Sequence, residues 1–319
     1  MQPQADPPII FPPYGGMDHT FGTPSQLPEP KPTFQPASAW PVWMDKIVKV
    51  LNECLWPSWD HANRTWAASA TNGPHMAAIT RADFEIFAAM GVERGLDERP
   101  KSPNAGADLP THRVLFQIED SGSGHPLFKQ IGSYYGRYDT TLKKEVADLM
   151  PSSLIKNADR IFPANARIKF LLQRPRPYQM SLLMPGIPPF PYLRATTALS
   201  PSACSGHTLY GLIGVAGVVD DWIDECVKLT QSNHECLQQF AVDIGDRRVM
   251  AGVHYPGDNL SSWIIALAMS DYLFRPHVRH WIREAIERSA VYQLVKAAGG
   301  PYTKALQKLD EIATNGFPV

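Results

Sequence analysis

Three short stretches of this 319-residue chain carry side chains whose types and spacing suit phosphoryl chemistry: Lys169–Pro177 (KFLLQRPRP), Cys204–Thr208 (CSGHT) and Arg248–Asp258 (RVMAGVHYPGD). A phosphoryl group in transfer spreads negative charge over its equatorial oxygens. The protein must meet that charge with fixed donors while a nucleophile and a leaving-group acid sit on opposite sides. Lys169 and Arg176 stand seven residues apart, close to two helical turns, so a helix here would send both from one face. Arg grips two oxygens through its planar fork, and Lys acts as a point charge. Taken alone, the pair reads more simply as the basic end of a solvated helix.

In the second stretch, Gly206 lets the backbone approach an anion closely, and a helix opening there would aim its N–H groups at the ligand. Ser205 adds a hydroxyl donor, and His207 can deliver a proton to a departing alkoxide. Ser123-Gly124-His125 repeats the triplet in a Gly- and Ser-rich connector with no partner motif following in order, and is assigned to a loop. In the third stretch, Arg248 precedes His254 by six residues and Asp258 follows it by four, with Pro256-Gly257 turning the chain between them. An aspartate so placed, suited to a helix start, can accept the Nδ1 proton of His254 and leave Nε2 as a lone pair for attack on phosphorus. A histidine merely bonded to a helix N-cap is the plain alternative.

In order, the three stretches form K-x6-R-P, S-G-H and R-x5-H-x3-D. That pattern resembles the type 2 phosphatidic acid phosphatase superfamily, nearest its soluble branch of bacterial class A non-specific acid phosphatases and related to the vanadium-dependent haloperoxidases. The likeness covers about Lys169 to Leu273, a third of the chain. It implies an all-α, single helical bundle of that type and a metal-independent phosphomonoester hydrolase, resembling the acid phosphatases, that works through a phosphohistidine. By the resemblance His254 is the nucleophile, Asp258 orients it, and His207 is the acid and then the base. Lys169, Arg176, Arg248, Ser205 and the Gly206 amide would hold the phosphoryl oxygens, with no metal or cofactor required. The chain departs from the family at Cys204, where Pro is usual, and at Arg247, where Ser is usual; Arg247 is expected to face solvent in preference to adding a cation near the pocket rim.

The expected partner is a small phosphate ester. The apolar, Pro-rich stretch Tyr178–Ser200 offers Leu182, Leu183, Met184, Phe190 and Tyr192 as a wall for its leaving group, or as an arm packed on the bundle. Two other functions use the same residues: a vanadate-dependent haloperoxidase with vanadate as cofactor on His254, and a non-catalytic anion-binding or interaction protein. A metal site at His277 and His280 is a poorer account of those residues than a basic helix face with Arg275, Arg279 and Arg283.

A net charge of -1 without a block of Lys or Arg argues against nucleic acid as a partner. No apolar run reaches a membrane span, Leu209–Val219 and Trp263–Leu273 being the nearest, so no integral membrane association is expected. MQPQADPPII lacks the basic and apolar regions of a secretory leader, which predicts a soluble chain, cytoplasmic, or exported if a leader was removed. Oligomeric state is open. Four scattered cysteines predict buried thiols in preference to a Cys226–Cys236 bridge.

The elements that must position these groups follow from periodicity. Of 30 prolines, many crowd residues 1–40, read as an extended arm ahead of a helical domain over 41–319, with the motif region at 169–273. From Pro41, Trp43, Ile47, Val50, Leu51, Cys54 and Leu55 recur at helical spacing, as a core stripe or, less simply, a membrane-facing one. Further helices are predicted at Arg81–Met90, Leu127–Tyr135, Thr141–Met150, Ile161–Gln173, Ser205–Asp224, Asn259–Leu273, Val278–Ser289 and Tyr302–Thr314. Another starts at a Ser232–Glu235 capping box and runs toward Val253.

Overall fold

The computed structural model describes residues 39–55, 59–60, 65–66, 73–91, 112–120, 164–169, 174–181, 187, 195, 198, 200–224 and 229–318. These residues are mainly helical. The elements in chain order are α1 (Ala39–Cys54), a two-residue antiparallel ladder β1 (Trp59–Asp60) and β2 (Thr65–Trp66), α2 (Gly73–Met90) and α3 (His112–Asp120). After them come α4 (164–169), α5 (Pro177–Ser181), α6 (Gly206–Asp224), α7 (Gln231–Met250), α8 (Pro256–Leu273), α9 (Pro276–Glu287), α10 (Ala290–Ala298) and α11 (Thr303–Asn315). Among the described residues, no helix is long and apolar enough to cross a membrane.

α8 forms the axis. It is buried without interruption from Pro256 to Ser270, with α1, α2, α6, α7, α9, α10 and α11 packed around it. Over Trp263–Met269 its sequence is apolar on every side, which is what an enclosed helix needs. Its serines hide their polarity by bonding backward: Ser261 and Ser262 Oγ donate to Asp258 O at 2.7 and 2.9 Å, and Ser270 Oγ to Leu267 O at 2.7 Å.

The aromatic stripe of α1 belongs to this core. Trp43 is buried, donates Nε1–H to Ala268 O at 3.1 Å, and stacks on Trp40 with ring centroids 5.6 Å apart. The membrane-facing alternative for that stripe is thereby removed, and the helix begins at Ala39, two residues inside the arm expected over 1–40. Residues 1–38 lie outside the described residues, as do the helices expected at Leu127–Tyr135 and Thr141–Met150.

α6 and α7 lie closest of all. A Cβ on Gly245 would stand 2.5 Å from Thr208 Oγ1, and one on Gly211 would press into the Ala241 carbonyl oxygen, so only glycine permits this approach. α7 differs from expectation at both ends. Its N-cap is Thr230, whose hydroxyl accepts from Asn233 N at 3.2 Å, rather than Ser232. It stops at Met250 because Gly252 adopts φ 69, which folds the chain back so that Val253 N and His254 N reach Arg248 O.

α3 and α10 were not anticipated. α10 is short and starts from Ser289, whose Oγ accepts from Tyr292 N; the buried Asp246 of α7 ties it down by accepting from Ser289 Oγ at 2.7 Å and Ala290 N at 2.8 Å. Cys54 and Cys204 are buried free thiols, and Cys226 lies outside the described residues. Replacing Gly211 by Ala should cost about 1–3 kcal/mol by overpacking against backbone that cannot swing aside. Urea unfolding that shows an unchanged midpoint would contradict the close α6–α7 approach.

Candidate active site

The turn between α7 and α8 delivers His254, and the first turn of α8 delivers its partner. Tyr255 is the N-cap, Pro256 fills the first helical position, and Asp258 at the third accepts from Tyr255 N at 3.0 Å. The same carboxylate oxygen, Oδ2, accepts from His254 Nδ1 at 3.2 Å and from Ser202 Oγ. On the far side of the ring, His254 Nε2 lies 3.0 Å from Arg176 Nη1. A guanidinium can only donate, so Nε2 holds a lone pair and the proton resides on Nδ1. Burial first, then the adjacent Arg176, holds the His254 pKa well below its usual value, with Asp258 opposing.

Arg176 is itself fixed by carbonyls: Nε donates to Ser200 O at 2.7 Å and Nη1 to Val253 O at 2.6 Å. Pro177 begins α5 beside it. Lys169, at the end of α4, donates to Pro201 O at 2.5 Å and Ser202 O at 3.3 Å. Burial and then Arg176 bring its pKa down to about 7. Arg248 donates to Asp120 Oδ1 at 3.1 Å and lies over the Phe116 ring, 4.3 Å from its centroid.

Ser205 and Gly206 open α6. Ser205 Oγ accepts from Thr208 N at 3.3 Å and lies 2.8 Å from Thr208 Oγ1, so its hydroxyl serves here as the N-cap of α6. A Cβ on Gly206 would meet Asn165 Nδ2 at 2.8 Å. His207 follows, half-buried, with Nε2 3.4 Å from Glu119 O. A carbonyl only accepts, which puts the proton on Nε2 and the lone pair on Nδ1. Burial, with Arg248 next, lowers the His207 pKa to about 3. The two imidazoles do not touch, but Arg176 depresses the pKa of both.

The structure thus brings Lys169, Arg176, Arg248, His207, His254, Asp258 and the start of α6 into one electrostatic neighbourhood. Leu183, Phe190 and Tyr192, expected to line the leaving-group side, lie outside the described residues. Arg247 corrects an expectation: it is fully buried and grips Glu119 with Nε at 3.1 Å and Nη2 at 2.5 Å. The carboxylate that takes the place of solvent lies on α3, which packs directly on α7. His277 and His280 sit exposed on α9, and among the described residues no group of three or more His, Cys, Asp or Glu is arranged to hold a metal.

Several groups around the site escaped sequence reasoning. Arg174 lies inside the first stretch yet is buried, with Nη1 on Asp258 Oδ1 and Nη2 on Asp83 Oδ2, each at 2.7 Å. Asp83 had a faint signal, an acid sharing a helix face with Ile79, Ile86 and Phe87. Glu119 and Asp120 had none, because their partners are 128 residues away. No family model, curated protein or solved structure matches the chain.

Because Lys169 begins to lose its proton near pH 7 when its neighbours are cations, an arriving oxyanion should restore it. Phosphate binding at pH 8 is expected to take up a proton, seen in calorimetry as an enthalpy that varies with the buffer's ionisation heat. That dependence should disappear in Lys169→Met; an uptake that survives the substitution would refute the assignment.

Proposed function

We propose that this protein is a metal-independent phosphomonoester hydrolase acting through a phosphohistidine on His254, on a helical bundle of the type 2 phosphatidic acid phosphatase kind. The observation that carries the reading is the state of His254: neutral, protonated on Nδ1 toward Asp258, with its Nε2 lone pair facing Arg176 in a nest of buried cations. A nucleophile needs that tautomer, and a structural histidine does not need three cations.

In the first half-reaction Arg176 turns from Nε2 to a phosphoryl oxygen, and Nε2 forms the N–P bond as the ester P–O bond breaks. His207 supplies the proton that the leaving alkoxide takes. In the second, His207 accepts a proton from water as its oxygen attacks phosphorus and the N–P bond breaks, which frees phosphate and restores the imidazole. Lys169, Arg176, Arg248 and the first-turn amides of α6 balance the charge; Ser205 joins them only by loosening its hold on Thr208. His254, Arg176 and Arg248 are almost inaccessible while His207 and Gly206 are half-buried, which favours a phosphoryl group innermost and a leaving group projecting over His207.

The sign of the pH dependence follows. Protonated His207 is scarce in the free enzyme at neutral pH because its pKa lies near 3, and His254 stays neutral well below 6.5. For a fixed ionic form of the substrate, kcat/KM should therefore rise as pH falls from 7 toward 5.

Hydrolysis of an aryl phosphate by the wild type, with loss of about a thousandfold or more in His254→Ala, is expected together with competitive inhibition by vanadate. A rapidly quenched reaction should hold acid-labile phosphate on the wild type and none on the variant. Halide oxidation by peroxide after vanadate loading, with no phosphate released from any ester, would instead favour a vanadate enzyme using the same donors.

A further inference from the structure

The buried ion network behind His254 extends beyond the candidate site. Arg174, Asp83, Asp258 and Tyr302 are all within a percent or so of complete burial. Arg174 spans two carboxylates at equal distances, one on α8 and one on α2, while its guanidinium carbon lies 3.7 Å from the centroid of the Tyr255 ring. Asp83 Oδ1 is held in turn by Gly257 N at 2.8 Å and Tyr302 Oη at 2.7 Å. A buried ion pair seldom adds net stability over apolar packing of the same volume, so a three-charge bridge set directly behind an imidazole calls for another account.

We propose that Arg174 is a positioning residue that divides one positive charge between Asp83 and Asp258, and so sets how firmly Asp258 Oδ2 holds the Nδ1 proton of His254. If Arg174 were absent, Asp258 would turn its whole charge on His254. If Asp83 lost its charge, Arg174 would bear on Asp258 alone and weaken its grip. The other groups facing the pair are Arg176 and Lys169 on the pocket side of His254, with Ser202 Oγ and Tyr255 N on Asp258 Oδ2. The two carboxylates are unequal: burial outweighs Arg174 at Asp83 and raises its pKa, whereas at Asp258 burial is overcome by Arg174, His254 and Ser202. Asp83, on α2, is tied as well to Tyr302, just before α11. The catalytic consequence rests on the phosphatase reading, and the hydrogen-bond consequence does not.

The test is the Nδ1 proton resonance of His254 in full-length protein labelled with 15N-histidine, assigned by its loss in His254→Gln. Arg174→Met should move it downfield and Asp83→Asn upfield, opposite directions that a general loosening of the core cannot produce. With an aryl phosphate, kcat should fall about tenfold or more in both variants, with KM within about twofold. A resonance that stays in place, or moves the same way in both, overturns the proposal. Should Arg174→Met fail to fold, Arg174→Lys retains the charge without the fork; a wild-type resonance position in that variant also overturns it. A wild type that hydrolyses no phosphate ester removes the proposed function and leaves the resonance shifts to be judged by themselves.

Discussion

A carboxylate withdrawn completely from water must gather donors or surrender its charge, and Asp258 gathers four: Arg174, Ser202, His254 and the backbone of Tyr255. Each donor constrains a different part of the chain. Arg174 fixes the approach to α5, Ser202 fixes the turn into α6, and Tyr255 fixes the angle at which α8 leaves α7. His254 has no rotational choice left once these are set. The carboxylate is therefore at once a helix cap, a crosslink and the hydrogen-bond partner of an imidazole.

The opposite wall of the site presents the reverse problem. Lys169, Arg176 and Arg248 are buried near one another; burial lowers the pKa of Lys169 and of Arg248, and at Lys169 the two arginines lower it further. Carbonyl oxygens from Ser200, Pro201, Ser202 and Val253 relieve part of this without neutralising it. Both imidazoles respond by remaining neutral. On the phosphatase reading proposed above, positive charge organised in this way before binding leaves little reorganisation to the moment of reaction.

How far this could be read from sequence depends on the range of the interaction. His254–Asp258 is a local contact, four residues across a Pro-Gly turn and a helix start, and its spacing alone predicts the hydrogen bond found at 3.2 Å. The helices around it carry their burial in their periodicity, and α6 and α8 lie close to where apolar spacing placed them. Boundaries fared worse, since Thr230 competes with Ser232 for a cap and a single Gly252 ends α7 three residues early. Arg247 was misjudged because nothing local separates an arginine that meets water from one that meets Glu119, 128 residues earlier. Asp83 and Arg174 are alike in this: each looks ordinary until the other is beside it.

Those long-range pairs also decide what counts as the site. Consecutive residues Arg247 and Arg248 at the end of α7 bind consecutive acids Glu119 and Asp120 at the end of α3, and the carbonyl of Glu119 reaches His207. Two neighbours on a helix point about 100° apart, so the doublet clamps α3 on two sides and leaves it little freedom to slide. α3 and α2 lie far from the three motif stretches in sequence, yet they supply Glu119, Asp120 and Asp83, the acids that compensate Arg247, Arg248 and Arg174. Without them three guanidiniums would be buried with far less compensating charge, a cost no helical core of this size absorbs readily. The stretch from Lys169 to Leu273 holds the histidines and cations of the candidate site, and the acids of the preceding helices are what make it tolerable to bury its arginines.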